Sequence, residues 1–277
     1  MKKFFTLFLA VLFIGAMFSA AWAGKTLEDV KKKGIMVGGV KDSTPGFGYI
    51  DEKTQEIVGY DVDFLKYIAK KLGVKLELKP VTSATRMLQL IVGNIDIIAA
   101  TMTKTPERAR QIDLSYTYFF TGQKFITSKK DHIIKFSDLE GKKIGTVKGS
   151  TFEQNAKKAL PKATILSFDD YPQVFLALEQ GKVAAVTTEE SILADILAKA
   201  PNKKNYEIPN IQISDEPYAL GVRKGDIKFL DFVNATLLEM EKNGEAGKIF
   251  NKWFGPKADT PLMRNFKITD QKLPWEK

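Results

Sequence analysis

Strands and helices alternate along this 277-residue chain in two separate blocks, an order that only layered α/β folds accommodate. The first block opens with a helix that Thr26 and Asp29 space as a capping box and Gly34 stops, followed by a short apolar run at 35–40. Its clearest helix covers 60–72: Phe64, Leu65, Ile68, Ala69 and Leu72 recur every three or four positions, Asp61 and Asp63 occupy the first turn, and Lys70 and Lys71 the last. Residues 74–78 alternate like a half-exposed strand, whereas 95–100 are nearly all apolar and suit a buried parallel strand. Between them, 83–92 read as a helix with Met87, Leu88, Ile91 and Val92 on one stripe. The second block repeats the order, with strands at 143–147, 163–168 and 183–186 and helices at 150–160, 172–179 and 191–199.

Extended stretches at 118–127 and 211–220 flank the second block, and a late helical region at 226–254 must return to the first. The expected architecture is one lobe from 24–118 plus 219–277 and an inserted lobe from 123–213, joined by hinge strands at 119–122 and 214–218. Ligand crevices in open α/β sheets lie beyond the carboxyl ends of the strands, so both crevices face the gap between lobes. A two-lobed clamp around a small molecule follows mechanically.

Residues 1–23 are excluded from this fold. Lys2 and Lys3 precede an apolar run at 4–18 and the small-residue stretch Ser19-Ala20-Ala21-Trp22-Ala23, the pattern of a secretory signal peptide cleaved before Gly24. The formal charge is +9, but the longest lysine run is Lys31-Lys32-Lys33 and acids are interleaved throughout, so no strip for a nucleic-acid backbone stands out. With no cysteine, disulfides and a lipobox anchor are excluded, and no later segment is apolar for the length of a bilayer. The expectation is a freely diffusing monomer outside the cytoplasm, in the periplasm if the cell is Gram-negative.

Few residues offer catalysis. The one histidine, His132, reads as a solvent-facing loop residue, no Ser-His or Cys-His arrangement exists, and phosphate-binding glycine loops are absent, leaving only carboxylate acid/base chemistry open. Anion recognition is better supplied. Arg108 follows the buried strand in Thr101-Met102-Thr103-Lys104-Thr105-Pro106-Glu107-Arg108, where a guanidinium holds a carboxylate or pairs at the surface with Glu107 or Asp113. Arg86 opposes the dipole at the start of its helix, either awaiting an anion or exposed to solvent. Gly149-Ser150-Thr151 opens a helix and is an anion site or a plain cap. Glu189 and Glu190 end a strand, where an acid faces an ammonium group or complements a helix dipole. Phe47 and Tyr49 floor a pocket or fill the core.

Gly59-Tyr60-Asp61-Val62-Asp63-Phe64, followed by Ile68-Ala69 and Leu72, resembles the signature of bacterial family 3 extracellular solute-binding proteins, the polar amino-acid receptors of ABC importers. Thr105-Pro106-Glu107-Arg108, Leu139-Glu140-Gly141-Lys142-Lys143-Ile144-Gly145, Gly149-Ser150-Thr151, Asn243-Gly244-Glu245-Ala246 and Lys252-Trp253-Phe254 reinforce it, over about residues 34–266. The segment 80–86 and the tail after Trp253 look most like the glutamate/aspartate branch. The resemblance implies a type II periplasmic-binding-protein fold with no cofactor, and an inner-membrane permease as partner. It implies that Arg108 holds the ligand's α-carboxylate, helped by Thr103, Ser150 and Thr151, that Glu189 takes the ammonium, and that Ser83, Arg86 and Thr101 receive a side-chain carboxylate. Lys41 and Tyr171 stand where that branch tends to have arginine and histidine, which keeps neutral ligands such as glutamine in view. The competing classes are a cyclohexadienyl dehydratase-like enzyme and a sensor ectodomain.

Overall fold

The computed structural model describes residues 24–276; the proposed signal peptide lies outside them. A short helix α1 (Thr26–Lys33) leads into β1 (Ile35–Val40), and β2 (Ser43–Thr44), β3 (Gly48–Ile50) and β4 (Ile57–Val58) form a small antiparallel sheet. Helix α2 (Tyr60–Leu72) then returns to β5 (Lys75–Pro80), and α3 (Arg86–Ile91) leads to β6 (Ile97–Ala99). Strands β5 and β6 both pair in parallel with β1, as the crossover order requires. After α4 (Pro106–Gln111) comes β7 (Ile112–Ser128), a strand of 17 residues. The inserted part contributes β8 (Lys143–Val147), α5 (Thr151–Ala159), β9 (Thr164–Phe168), α6 (Tyr171–Glu179), β10 (Ala185–Glu189), α7 (Glu190–Lys199) and β11 (Tyr206–Glu207). Finally β12 (Ser214–Arg223) runs antiparallel to β7, and α8 (Ile227–Lys242) and α9 (Glu245–Phe254) close the first lobe.

The strand order β5-β1-β6-β12-β7-β10-β8-β9 places one lobe around β1 and the other around β8, with β7 and β12 crossing between them. One half of β7 pairs with the inserted strand β10 through 123–127. Its other half pairs with β12, which touches β6 at Gly221 opposite Ile98. Two register shifts, at Tyr218/Ala219 and Ala219/Gly221, bulge β12 as it enters the first lobe.

Helix α2 buries Phe64, Leu65 and Ile68 completely, each worth roughly 1.5–3 kcal/mol of apolar transfer. Gly73 ends it in the left-handed conformation, its N–H bonded to the carbonyls of Ala69 and Lys70. Phe47 belongs to the core: its ring meets Phe119 edge-on at 4.9 Å and Tyr218 at 5.6 Å, tying both crossing strands to the first lobe.

Three local expectations differ. The helix expected over 83–92 starts only at Arg86, and Leu88, Ile91 and Val92 are exposed while Leu90 is buried, so short-range spacing misplaced the apolar face. Thr26 does not cap α1; its backbone N–H donates to Asp226 Oδ2 at 3.1 Å and its hydroxyl accepts from Arg223, a tertiary use that spacing does not reveal. The late helical region breaks at Gly244, whose φ of 80° separates α8 from α9.

Candidate functional site

The residues expected to bind ligand converge where the lobes meet, and every one is buried. They fall into two neighbouring groups. Lys41 at the end of β1 donates from Nζ to Ser83 Oγ at 2.7 Å. Arg86, at the start of α3, is 2% exposed, which rules out a solvent-facing position. Its Nη1 donates to the carbonyls of Ala100 and Thr101, while Nε is buried without a partner. Thr101 has φ 47°, an uncommon conformation for a β-branched residue, and its N–H donates to Asp61 Oδ2 at 2.9 Å. Asp61 also accepts from the Tyr118 hydroxyl at 2.5 Å.

Facing these from the second lobe are Tyr171, Thr188 and Glu189. Glu189 precedes α7 but makes no side-chain capping bond; its carboxyl group contacts the Tyr218 and Thr188 hydroxyls instead. Tyr171 and Thr188 share a hydrogen bond of 3.0 Å that either hydroxyl can donate. Glu190, by contrast, pairs with Lys124 at 2.8 Å on the rim.

The second group surrounds Arg108. Thr105 caps α4 by accepting from the Arg108 N–H at 3.3 Å, which aims the guanidinium inward. Nη1 donates to the Thr103 carbonyl at 2.8 Å and Nη2 to the Gly149 carbonyl, in the other lobe, at 3.4 Å. Asp113 is occupied by Lys224 at 2.7 Å, so the surface pair weighed from the sequence does not form. Thr103 and Thr151 approach to 3.2 Å across the cleft and both donate to Glu216, at 2.6 and 2.8 Å. Ser150 caps α5; its hydroxyl donates to the Val147 carbonyl at 2.6 Å and accepts from the Glu153 N–H, so it is committed to the turn.

Burial governs the charges. Lys41 is pushed down to about 7 by burial and by Arg86, against the pull of Glu189. Burial raises the Glu189 carboxyl to about 8 and Asp61 to about 6. It lowers Arg108 to about 9, with Arg86 adding to the effect, and Arg86 to about 10. Buried cations and acids thus face one another with shifted proton affinities, a pattern that marks functional sites, and of their buried side-chain atoms only Arg86 Nε lacks a partner. Among the described residues, no group of three or more His, Asp or Glu is placed to hold a metal.

Sequence reading missed Asp61, Tyr118, Glu216 and Tyr218. Asp61 carried a signal: it shares the buried stripe of Leu65, Ile68 and Leu72 at helical spacing, an acid on an apolar face. Glu216 and Tyr218 are two apart on β12 and share a face, but nothing in their neighbours marks that face as the cleft.

Two lobes meeting over buried cations and carboxylates define a solute-binding clamp. Residues 36–256 match the family of bacterial extracellular solute-binding proteins, family 3, and the chain belongs to that family. It is 38% identical over 269 residues to the ABC transporter glutamine-binding protein GlnH of Bacillus subtilis, covering 91% of this chain and 97% of that one. It is 33% identical over 261 residues to the glutamate/aspartate import solute-binding protein of Salmonella typhimurium, covering 90% and 86%. Among solved structures, an ancestral arginine-binding protein bound to glutamine superimposes with a TM-score of 0.76 at 40% identity, covering 80% of this chain and 98% of that one.

Proposed function

We propose that this protein is the receptor of an ABC importer that captures a polar amino acid, with glutamate or aspartate the favoured ligand, and delivers it to an inner-membrane permease without chemical change. The observation that carries the acidic ligand is the Arg86 Nε–H, buried with no acceptor beside the buried ammonium of Lys41. A side-chain carboxylate there accepts from both, each charge-assisted bond contributing roughly 1.5–3 kcal/mol. Arg108 and the start of α5 at Thr151 take the α-carboxylate, and Glu189 takes the ammonium. Thr103 and Thr151 have given their hydroxyl hydrogens to Glu216, so their free lone pairs suit the ammonium end of the ligand. Ser83, Thr101 and Tyr171 complete the side-chain end. Lobe boundaries near 118 and 219, with hinges at 119–122 and 214–218, agree with the pairing of β7 and β12 and the bulge at Tyr218/Ala219. A monomer released into the periplasm fits a clamp that must meet a permease.

Glutamine is the second reading, favoured by the lowered Lys41. A neutral amine accepts a hydrogen bond, and an amide NH2 donates one. A dehydratase has less support: His132 is exposed in a left-handed turn. Calorimetry on unfolded and refolded mature protein against the twenty amino acids tests the proposal. Glutamate or aspartate binding at least tenfold tighter than glutamine supports the acidic ligand, the reverse order supports the second reading, and no binding at all rejects both.

A further inference from the structure

Glu216 is 1% exposed and accepts four hydrogen bonds. Oε2 takes the hydroxyls of Thr103 and Thr151 at 2.6 and 2.8 Å. Oε1 takes Ser214 Oγ at 2.6 Å and Asn155 Nδ2 at 3.1 Å. Four donors fill the lone pairs of a carboxylate. Their origin is what matters. Thr103 lies between β6 and α4 in the first lobe, Thr151 and Asn155 lie on α5 in the second, and Ser214 and Glu216 lie on the crossing strand β12. Separating the lobes therefore pulls donors from opposite sides off one buried oxygen pair.

We propose that Glu216 is a positioning residue for closure, a hub on the crossing strand that joins both lobes through their threonines and so strengthens the closed clamp by the same factor for every ligand. The inference rests on the receptor reading, and it deepens it: selectivity belongs to Arg86 and Lys41, whereas Glu216 sets how tightly the lobes hold whatever has been selected. Since Thr103 and Thr151 spend their hydrogens on it, the carboxylate also fixes which way their lone pairs face. Tyr218, two residues on, repeats the scheme by donating to Glu189 of the second lobe. A ligand shifts the lobe equilibrium only by its differential affinity for the two states, and the hub adds a ligand-independent contribution to the same equilibrium.

The test is Glu216→Gln, which keeps the volume but replaces one acceptor with a donor that faces other donors. Stopped-flow and calorimetry with L-glutamate and L-glutamine, alongside thermal melting, measure affinity and fold. Dyes on Lys70→Cys and Lys158→Cys, both exposed positions in a chain without native cysteine, report the distance between lobes. E216Q is expected to weaken each ligand that the wild type binds by the same factor, about tenfold or more, mostly through faster dissociation. It is also expected to lengthen the distance. Unchanged affinity overturns the proposal, and so does a loss differing more than threefold between ligands, which would place Glu216 against the ligand side chain. If E216Q does not fold, Asn155→Leu removes a second-lobe donor to Glu216 outside the ligand contacts and carries the same expectations. If the wild type binds no amino acid, the receptor reading fails by itself, and the hub is judged on the ligand-free distance, which E216Q must lengthen.

Discussion

Gly149 of the second lobe lies so close to Ala84 of the first that a Cβ built on it would stand 2.7 Å from the Ala84 Cα. Its φ of 74° is also one that a side chain rarely adopts. Gly149→Ala should therefore hinder complete closure and weaken amino-acid binding by about tenfold or more, an effect that follows from roughly 1.4 kcal/mol of misfit. Calorimetry checks the affinity, and unaltered binding would show that the two backbones separate without loss.

Arg86 and Arg108 should divide the ligand between them. Arg86→Ala is expected to weaken glutamate by about a hundredfold and glutamine by less than tenfold, because only the carboxylate loses an attraction between opposite charges along with the hydrogen bond. Arg108→Ala should weaken both alike, since both carry an α-carboxylate. Equal losses on Arg86→Ala would remove it from the side-chain end.

Proton exchange during binding should change sign with pH. A ligand ammonium draws the Glu189 carboxyl down from about 8 and releases its proton; a ligand side-chain carboxylate draws Lys41 up from about 7 and takes one in. Below pH 7, Lys41 is already charged and release dominates. Above pH 8, Glu189 is already ionised and uptake dominates. Titrations in buffers of different ionisation enthalpy should show glutamate crossing zero near about pH 7.5, and glutamine releasing protons throughout.

Glu189 should also cost the empty protein stability. Its folded value of about 8 exceeds the unfolded carboxyl value, so the stability its proton provides is complete in acid and disappears as pH rises through 8. Glu189→Gln should abolish binding yet melt higher than ligand-free wild type, by on the order of 5 °C at pH 8 and by little at pH 5. A gap independent of pH would mean that this carboxylate is already ionised in the folded protein.

Period and order carried most of the architecture. The stripe of α2, the all-apolar β6 and the late return to the first lobe follow from residue spacing, because each buries one face against a layer. The short helix α3 was misjudged because six residues cannot establish a face, and its Leu88 and Ile91 point outward. Within the site, Arg108 was legible from its position after a buried strand. Glu216 was not: its importance comes from Thr103 and Asn155, 113 and 61 residues away, brought to it only by the crossing of β12.

Strand β6 waits for its partner. Gly221 of β12 reaches Ile98 only after the whole inserted lobe has been made, so a buried strand of three apolar residues keeps one unpaired edge while more than a hundred residues follow. With this layout the sheet of the first lobe cannot be completed until β12 has followed the inserted lobe. For a chain of the proposed secreted kind, which would thread a pore before it folds, such tardiness is useful.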